Sequence, residues 1–396
     1  MKKFFKKFWP EILFLLVSFL FSLWLMWHSF GYNNSTFFIS NHVWSDFAAN
    51  LPLIRSFSWG WNFPIEYPIF ANEPIKYHFL FYLFVGLLER LGIRLDWALN
   101  LPSSLSFFFL TVMIYKLAKL LFKSRPVAFL SVLFFLFNGT FSFIYFFRKY
   151  DWTNWSNLIN LKDFVSFMPY GPGEVTAFWN LNIYTNQRHL ALAFGILLLT
   201  VYWLLRLEQK TTHERGGLWR LIFLGILFGL FPSLHKAVFL MEGAVLFFLF
   251  LGFKKLRKPI IFISIIGFII ALPQRYLTNQ LSSSMSSAIS YYPGYLVHGQ
   301  GLAAFLRHWF LNLGVGFFLI PLGFFLVPTT AKKVGLAFFS LFLISNLLKF
   351  GPPIDTNHKF FNLFIIVGNM YSAYVLYKIW THTKQKGNFW IPAFAG

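Results

Sequence analysis

The chain has 396 residues, of which 57% are hydrophobic and only 12% charged, too few polar side chains to coat a water-soluble globule, whose composition is about a quarter charged. A formal net charge of +21 would in a soluble protein point to nucleic acid. Here the lysines and arginines cluster at the ends of apolar runs, where topology and anionic lipid account for them, so no nucleic-acid partner is expected. The absence of cysteine excludes a disulfide framework, thiolate metal ligation and a cysteine nucleophile, and leaves the redox compartment open.

In chain order, Lys2, Lys3, Lys6 and Lys7 precede an apolar run over 12–27 with no small-residue cleavage site after it, which reads as a retained first span with a cytoplasmic N-terminus. Apolar runs recur along the whole chain and predict an all-α polytopic transmembrane bundle of about ten or eleven spans. Their approximate cores are 11–30, 77–93, 97–122, 127–147, 188–206, 218–232, 236–253, 258–273, 309–327, 333–350 and 360–380. We read 1–396 as a single membrane domain in the cytoplasmic (plasma) membrane. Its C-terminal end, 388–396, is short and Gly-containing and is expected to be truncated. Trp9, Trp27, Tyr32, Trp203, Trp219 and Trp380 fall near span ends, as an interfacial aromatic belt requires.

Polar segments at 31–75, 148–187 and 274–308 interrupt this pattern and are where a water-facing site has room. The first emerges on the outer face and is expected to hold short amphipathic helices. One conflict of sidedness stands open: Lys116, Lys119, Lys123 and Arg125 favour the cytoplasm, yet full spans at both 77–93 and 97–122 would put them outside.

Only thirteen residues are acidic, so their placement is informative. Asp46 lies shortly after the first span, where a carboxylate near the membrane surface is able to take a proton from a hydroxyl; a solvated loop aspartate or helix cap is the plainer alternative. Glu66, Glu73 and His78 follow in a Pro-rich stretch that favours an extended path. Glu73 and His78 leave a divalent metal open, but two ligands without regular spacing argue more for interfacial packing. Cations beside apolar spans are costly and imply a partner. Arg188 with His189, His235 with Lys236, and Lys359 after Asp355 form such a set, each a snorkelling anchor or cap alone, but together suited to a polyanion. No P-loop, dinucleotide fingerprint, His-Glu-x-x-His helix or nucleophile elbow is present in the sequence.

Asp46, the stretch 51–57, the Pro-rich path into Tyr77-His78-Phe79, the segment 98–103, Gln187-Arg188 and the segment 355–362 together resemble the GT-C glycosyltransferases. The likeness is to the prokaryotic branch related to protein O-mannosyltransferases and aminoarabinose transferases. It implies transfer of a sugar from a polyprenyl-phosphate donor to a protein, lipid or glycan acceptor on the outer face, usually with inversion. By that likeness Asp46 is the base. Arg188, Lys236 and Lys359 hold the lipid phosphate, with His78 as a further candidate. Glu66 or Glu73 orients sugar or acceptor, and Asp355 joins the substrate-binding set. The first loop lacks the Asp-x-Asp or Glu-x-Asp pair that many members use for metal, which favours a metal-independent mode.

Two other readings use the same residues. The cations would equally line the path of a transporter or flippase for a lipid-linked or polyanionic solute, although the sequence shows neither repeat symmetry nor matched broken helices. A surface-polysaccharide polymerase or ligase would rely on late arginines, and Arg275 and Arg307 flank the third polar segment.

Overall fold

The computed structural model describes residues 2–40, 43–141, 181–209, 217–274, 289–351 and 354–385, with isolated positions between 144 and 156. The first helix, α1 (Lys2–Ser29), turns Leu16, Val17, Leu20 and Trp24 outward and buries Ser18, Ser22 and Met26. That distribution suits a lipid-facing helix, since tails solvate large apolar side chains while small or polar ones mediate helix packing. The Ser22 hydroxyl donates back to the Ser18 carbonyl at 2.6 Å, so burying it leaves no unmet donor.

After α1 the chain makes a hairpin, β1 (Phe30–Asn33) with β2 (Thr36–Ile39), whose turn places Asn34 and Ser35 at φ of 47° and 62°, as a tight two-residue connection demands. Helix α2 (Trp44–Ser58) is the short helix expected near Asp46. A second hairpin, β3 (Glu66–Tyr67) with β4 (Phe70–Pro74), leads into α3 (Leu80–Arg90). At Gly86 a Cβ would lie 2.7 Å from that of Phe57 and 2.8 Å from the Ile54 carbonyl oxygen, so only glycine lets α3 lie directly on α2.

The remaining helices are α4 (Leu95–Phe122), α5 (Arg125–Leu136), α6 (Asn182–Asn186), α7 (Leu190–Glu208), α8 (Gly217–Leu234), α9 (Lys236–Gly252) and α10 (Arg257–Ala271). They are followed by α11 (Gly301–Leu313), α12 (Gly316–Leu326), α13 (Thr329–Leu347) and α14 (His358–Gln385). A short antiparallel pair, β5 (Ser290–Tyr291) with β6 (Leu348–Lys349), bridges the segments before α11 and after α13. Helix α1 packs on α4, α4 on α7, α8 on α10, α9 on α13, and α14 on α5, α12 and α13.

Among the described residues six helices are long and apolar enough to cross a bilayer, within α1, α4, α7, α8, α13 and α14; α11 and α12, bent by 89° at their junction, make a seventh if they form one span. The chain is therefore a multi-pass helical membrane protein. The expected cores at 77–93, 127–147, 236–253 and 258–273 correspond to helices of 11, 12, 17 and 15 residues, so the described residues hold fewer full-length spans than the sequence suggests. The polar segment 148–187 lies mostly outside the described residues, as do 275–288 and Arg275 within them.

The shortness of α3 removes the conflict of sidedness. Eleven residues rise only about 16 Å, roughly half of a hydrocarbon core, so the chain returns to the N-terminal side by way of α4 alone. Glu11 on α1 accordingly meets Lys119 at 3.1 Å and Arg125 at 2.7 Å, which puts the basic end of α4 beside the start of α1. Lys333 at the start of α13 lies 5.0 Å from the Phe253 ring just after α9. Helix alternation gathers Arg206, Arg220, Lys254, Lys255, Lys332 and Lys333 at this same end.

The chain has no native cysteine, so single substitutions report sidedness cleanly. Thr36→Cys and Leu91→Cys should react with an impermeant maleimide from one face, and Lys116→Cys and Lys255→Cys from the other. Labelling of Leu91→Cys from the face opposite Thr36→Cys would mean that α3 crosses after all.

Candidate functional site

The ends of α1, α7, α8, α9 and α14 opposite the basic cluster converge with α2 and the start of α3. Two hydrogen bonds tie the loop before α3 to the α8–α9 junction: the Phe79 amide donates to the Ser233 carbonyl at 2.9 Å, and the Lys236 ammonium to the Lys76 carbonyl at 2.7 Å. With the loop pinned there, His78 stacks on His235, ring centroids 4.5 Å apart and planes 17° apart. His189, just before α7, completes a cluster at 4.1 Å from His78 and 5.0 Å from His235.

All three histidines are buried, none above 5% exposure. Burial is the largest cause holding His78 well below its ordinary pKa; the neighbouring His189 and His235 and the charges of Lys359 and Lys236 add to it. It is therefore a neutral imidazole at physiological pH. The Tyr82 hydroxyl meets His189 Nδ1 at 2.9 Å, while among the described residues His78 Nε2 and His189 Nε2 have no hydrogen-bond partner, and His235 meets at most its own backbone. The nitrogens that each ring offers lie within 4.8 Å of one another. Neutral imidazoles so grouped are suited to ligating a transition metal.

Asp46 sits half-buried in the first turn of α2. Burial pushes its carboxyl above the usual carboxylate value, and the Lys359 ammonium pulls it partly back. Tyr77, whose ring centroid is 3.6 Å from that of His78, is held far from ionising, first by burial and next by the Asp46 charge. Lys359, in the first turn of α14, is within electrostatic reach of Asp46 and of all three histidines. Asp46, the ammonium groups of Lys236 and Lys359, the phenols of Tyr77 and Tyr82 and three imidazoles thus share a region assembled from residues up to 313 positions apart, Asp46 to Lys359.

The other residues singled out in the sequence are placed differently. Glu66 braces its own hairpin, accepting from the Asn72 amide at 3.2 Å, and Glu73 is exposed on β4. Asp355 falls in a short 3₁₀ turn before α14, and its side chain lies outside the described residues. Arg188 is 1% exposed. Its guanidinium donates to the Thr185 carbonyl at 2.6 Å, the Asn100 side chain at 3.1 Å, the Ser29 hydroxyl at 2.9 Å and Met26 Sδ at 2.9 Å. Asn100 in turn donates to the Phe30 carbonyl at 2.8 Å. Arg188 is thus the knot joining α1, α4 and α7 beneath the site, and gripping a phosphate would require breaking these bonds. Arg307 and His308 border a cavity of about 280 Å³ on α11.

A cavity of about 450 Å³ lies between α11, α12, α13 and α14, lined almost wholly by apolar groups including Trp309, Phe317, Phe339, Phe364 and Tyr371. It begins on α14 at Phe364, about 7.5 Å of helix rise beyond Lys359. The 89° bend between α11 and α12 opens beside it.

The sequence flags His78 and the dipeptides containing His189 and His235, but nothing in their spacing joins them. Tyr77 enters the reading only through the Tyr77-His78-Phe79 stretch, and Tyr82 carries no signal beyond being an aromatic in an apolar run. No family model matches the chain, and no curated protein and no solved structure matches it.

Arg188→Ala should lower stability by about 2–4 kcal/mol, since it leaves a cavity and strips partners from Asn100 and Ser29. Thermal unfolding of the purified protein in detergent checks this; an unchanged midpoint with weakened lipid-phosphate binding would instead make Arg188 a ligand contact.

Proposed function

We propose that this protein is a membrane glycosyltransferase of the GT-C type, moving a sugar from a polyprenyl-phosphate donor to an acceptor hydroxyl at the outer face of the cytoplasmic membrane. The observation that carries the reading is the half-buried Asp46 within reach of the Lys359 charge, at the end of the bundle remote from the basic cluster. The positive-inside rule assigns that basic cluster to the cytoplasm and the Asp46 end to the outside.

In this reading Asp46 takes the proton of the acceptor hydroxyl as its oxygen attacks the anomeric carbon. The bond from that carbon to the phosphate oxygen breaks, and its electron pair leaves on the lipid phosphate. Lys359 and Lys236 neutralise the charge that develops there. Desolvation strengthens both effects, because fixed charges act more strongly where water is sparse. The apolar cavity along α14 is suited to hydrocarbon and supports a lipid-linked donor. Glu66, Glu73 and Asp355 stay candidates for sugar or acceptor contacts. The second reading, a transporter, has one observation in its favour, the break between α11 and α12, because translocation paths are commonly lined by such broken helices.

Protein in nanodiscs, offered a panel of radiolabelled polyprenyl-phosphate sugars, should release polyprenyl phosphate, and Asp46→Asn should lower the rate by about 10² to 10⁴. Unchanged turnover in that variant removes Asp46 as the base, and vesicular uptake without turnover makes the protein a transporter.

The acid limb of the pH–rate profile provides a second check. Only ionised Asp46 accepts a proton, so with its pKa raised by burial the rate should fall while pH is still above the ordinary carboxylate value of about 4. Lys359 lowers that pKa, so Lys359→Gln should move the limb to higher pH; a limb that stays put would place Lys359 away from the base.

A further inference from the structure

We propose that His78, His189 and His235 bind one divalent transition metal ion of the zinc class. The proposal stands apart from the glycosyltransferase reading, because it rests on the cluster alone.

Buried imidazole nitrogens are strong hydrogen-bonding groups, and leaving one unmet is destabilising. Among the described residues each of the three rings leaves at least one nitrogen without a partner from another residue, on residues that are 5%, 0% and 1% exposed. They belong to different helix ends, yet the nitrogens on offer come within 4.8 Å of one another. Three ligands around an ion at the usual zinc–imidazole length of about 2.0–2.1 Å lie about 3.4 Å apart, so modest rotation of the rings closes the set. A metal converts the unmet lone pairs into bonds.

Tyr82 supplies the outer contact such a site needs. Tyr82 Oη lies 2.9 Å from His189 Nδ1; in the tautomer where Nδ1–H donates to that oxygen, Nε2 carries its lone pair toward the cluster, the arrangement by which outer partners fix a ligating histidine. Tyr82 is thus a positioning residue. Tyr77 closes one side, its ring against His78.

The donor set selects the kind of ion, whose bonds must also outweigh the repulsion of the Lys359 and Lys236 charges near the cluster. Magnesium and calcium, which want carboxylate and water oxygens, are disfavoured; zinc, cobalt, nickel and copper, which take neutral imidazole, are not. Three protein ligands also leave a position for water or an anionic group, as in zinc sites that act on a ligand.

The experiment uses untagged full-length protein in detergent, stripped with chelator, loaded with Zn(II) or Co(II) alone and desalted. Wild type should retain about one metal per chain by mass spectrometry and, with Co(II), show visible d–d absorption. His189→Gln and His235→Gln should lose the metal, whereas His298→Gln, at an exposed position outside the cluster, should keep it. Tyr82→Phe should weaken zinc binding about 10- to 100-fold. If the histidine variants fail to fold, wild type decides alone: retention below about a tenth of an equivalent, absent cobalt absorption, or equal retention of magnesium overturns the proposal. So does retention of full stoichiometry by well-folded His235→Gln.

Discussion

Within a bilayer core every backbone N–H and C=O must be satisfied by its own helix, so polar chemistry is pushed to the places where helices end. This protein follows that constraint closely. Its interior around Phe107, Leu197 and Phe338 is mostly apolar, although Glu242 and Thr200 are buried within helices, and a cluster of cations marks the end remote from the site. At the other end α7, α9 and α14 begin while α1 and α8 finish, and there His189, His235, Lys359 and, from the loop before α3, His78 are brought together. Asp46 reaches the same region because α2 lies on α3, held close by the absence of a side chain at Gly86.

The placement of cations decides what each is free to do. Arg188, always charged and rich in donors, is spent inside on carbonyls, a hydroxyl, an amide and a thioether, with no carboxylate bonded to it among the described residues. Such a group is costly to bury and correspondingly costly to disturb. Lys359 and Lys236 are only partly buried at the rim, so a ligand's charge is able to meet them. A bundle braced by a guanidinium beneath the site, with partly exposed ammonium groups above it, separates the task of holding helices from that of holding an anion.

Much of the scaffold was legible from hydropathy. The expected cores at 97–122, 188–206, 333–350 and 360–380 correspond to α4, α7, α13 and α14, because each is a long apolar run bounded by charge or proline. The core at 77–93 misled, since an apolar stretch of eleven residues reads the same whether it crosses lipid or lies against α2. The lysines at 116–123 held the clue, and Glu11 paired with Lys119 shows why their sidedness mattered. Asp46 stood out in the sequence because carboxylates are rare in this chain. The histidine cluster did not, because residues 78, 189 and 235 meet only through tertiary packing, and a histidine at a helix end reads as a cap. Glu66, one of two carboxylates singled out in the Pro-rich stretch, accepts a hydrogen bond within its own hairpin.

The most direct test of the account is an experimental structure of the protein in nanodiscs with a polyprenyl phosphate bound. The phosphate should lie at Lys359 and Lys236, facing Asp46, with the isoprenoid chain entering the apolar cavity beside α14. A lipid phosphate bound instead among the lysines at 254–258, at the opposite end of the bundle, would contradict it.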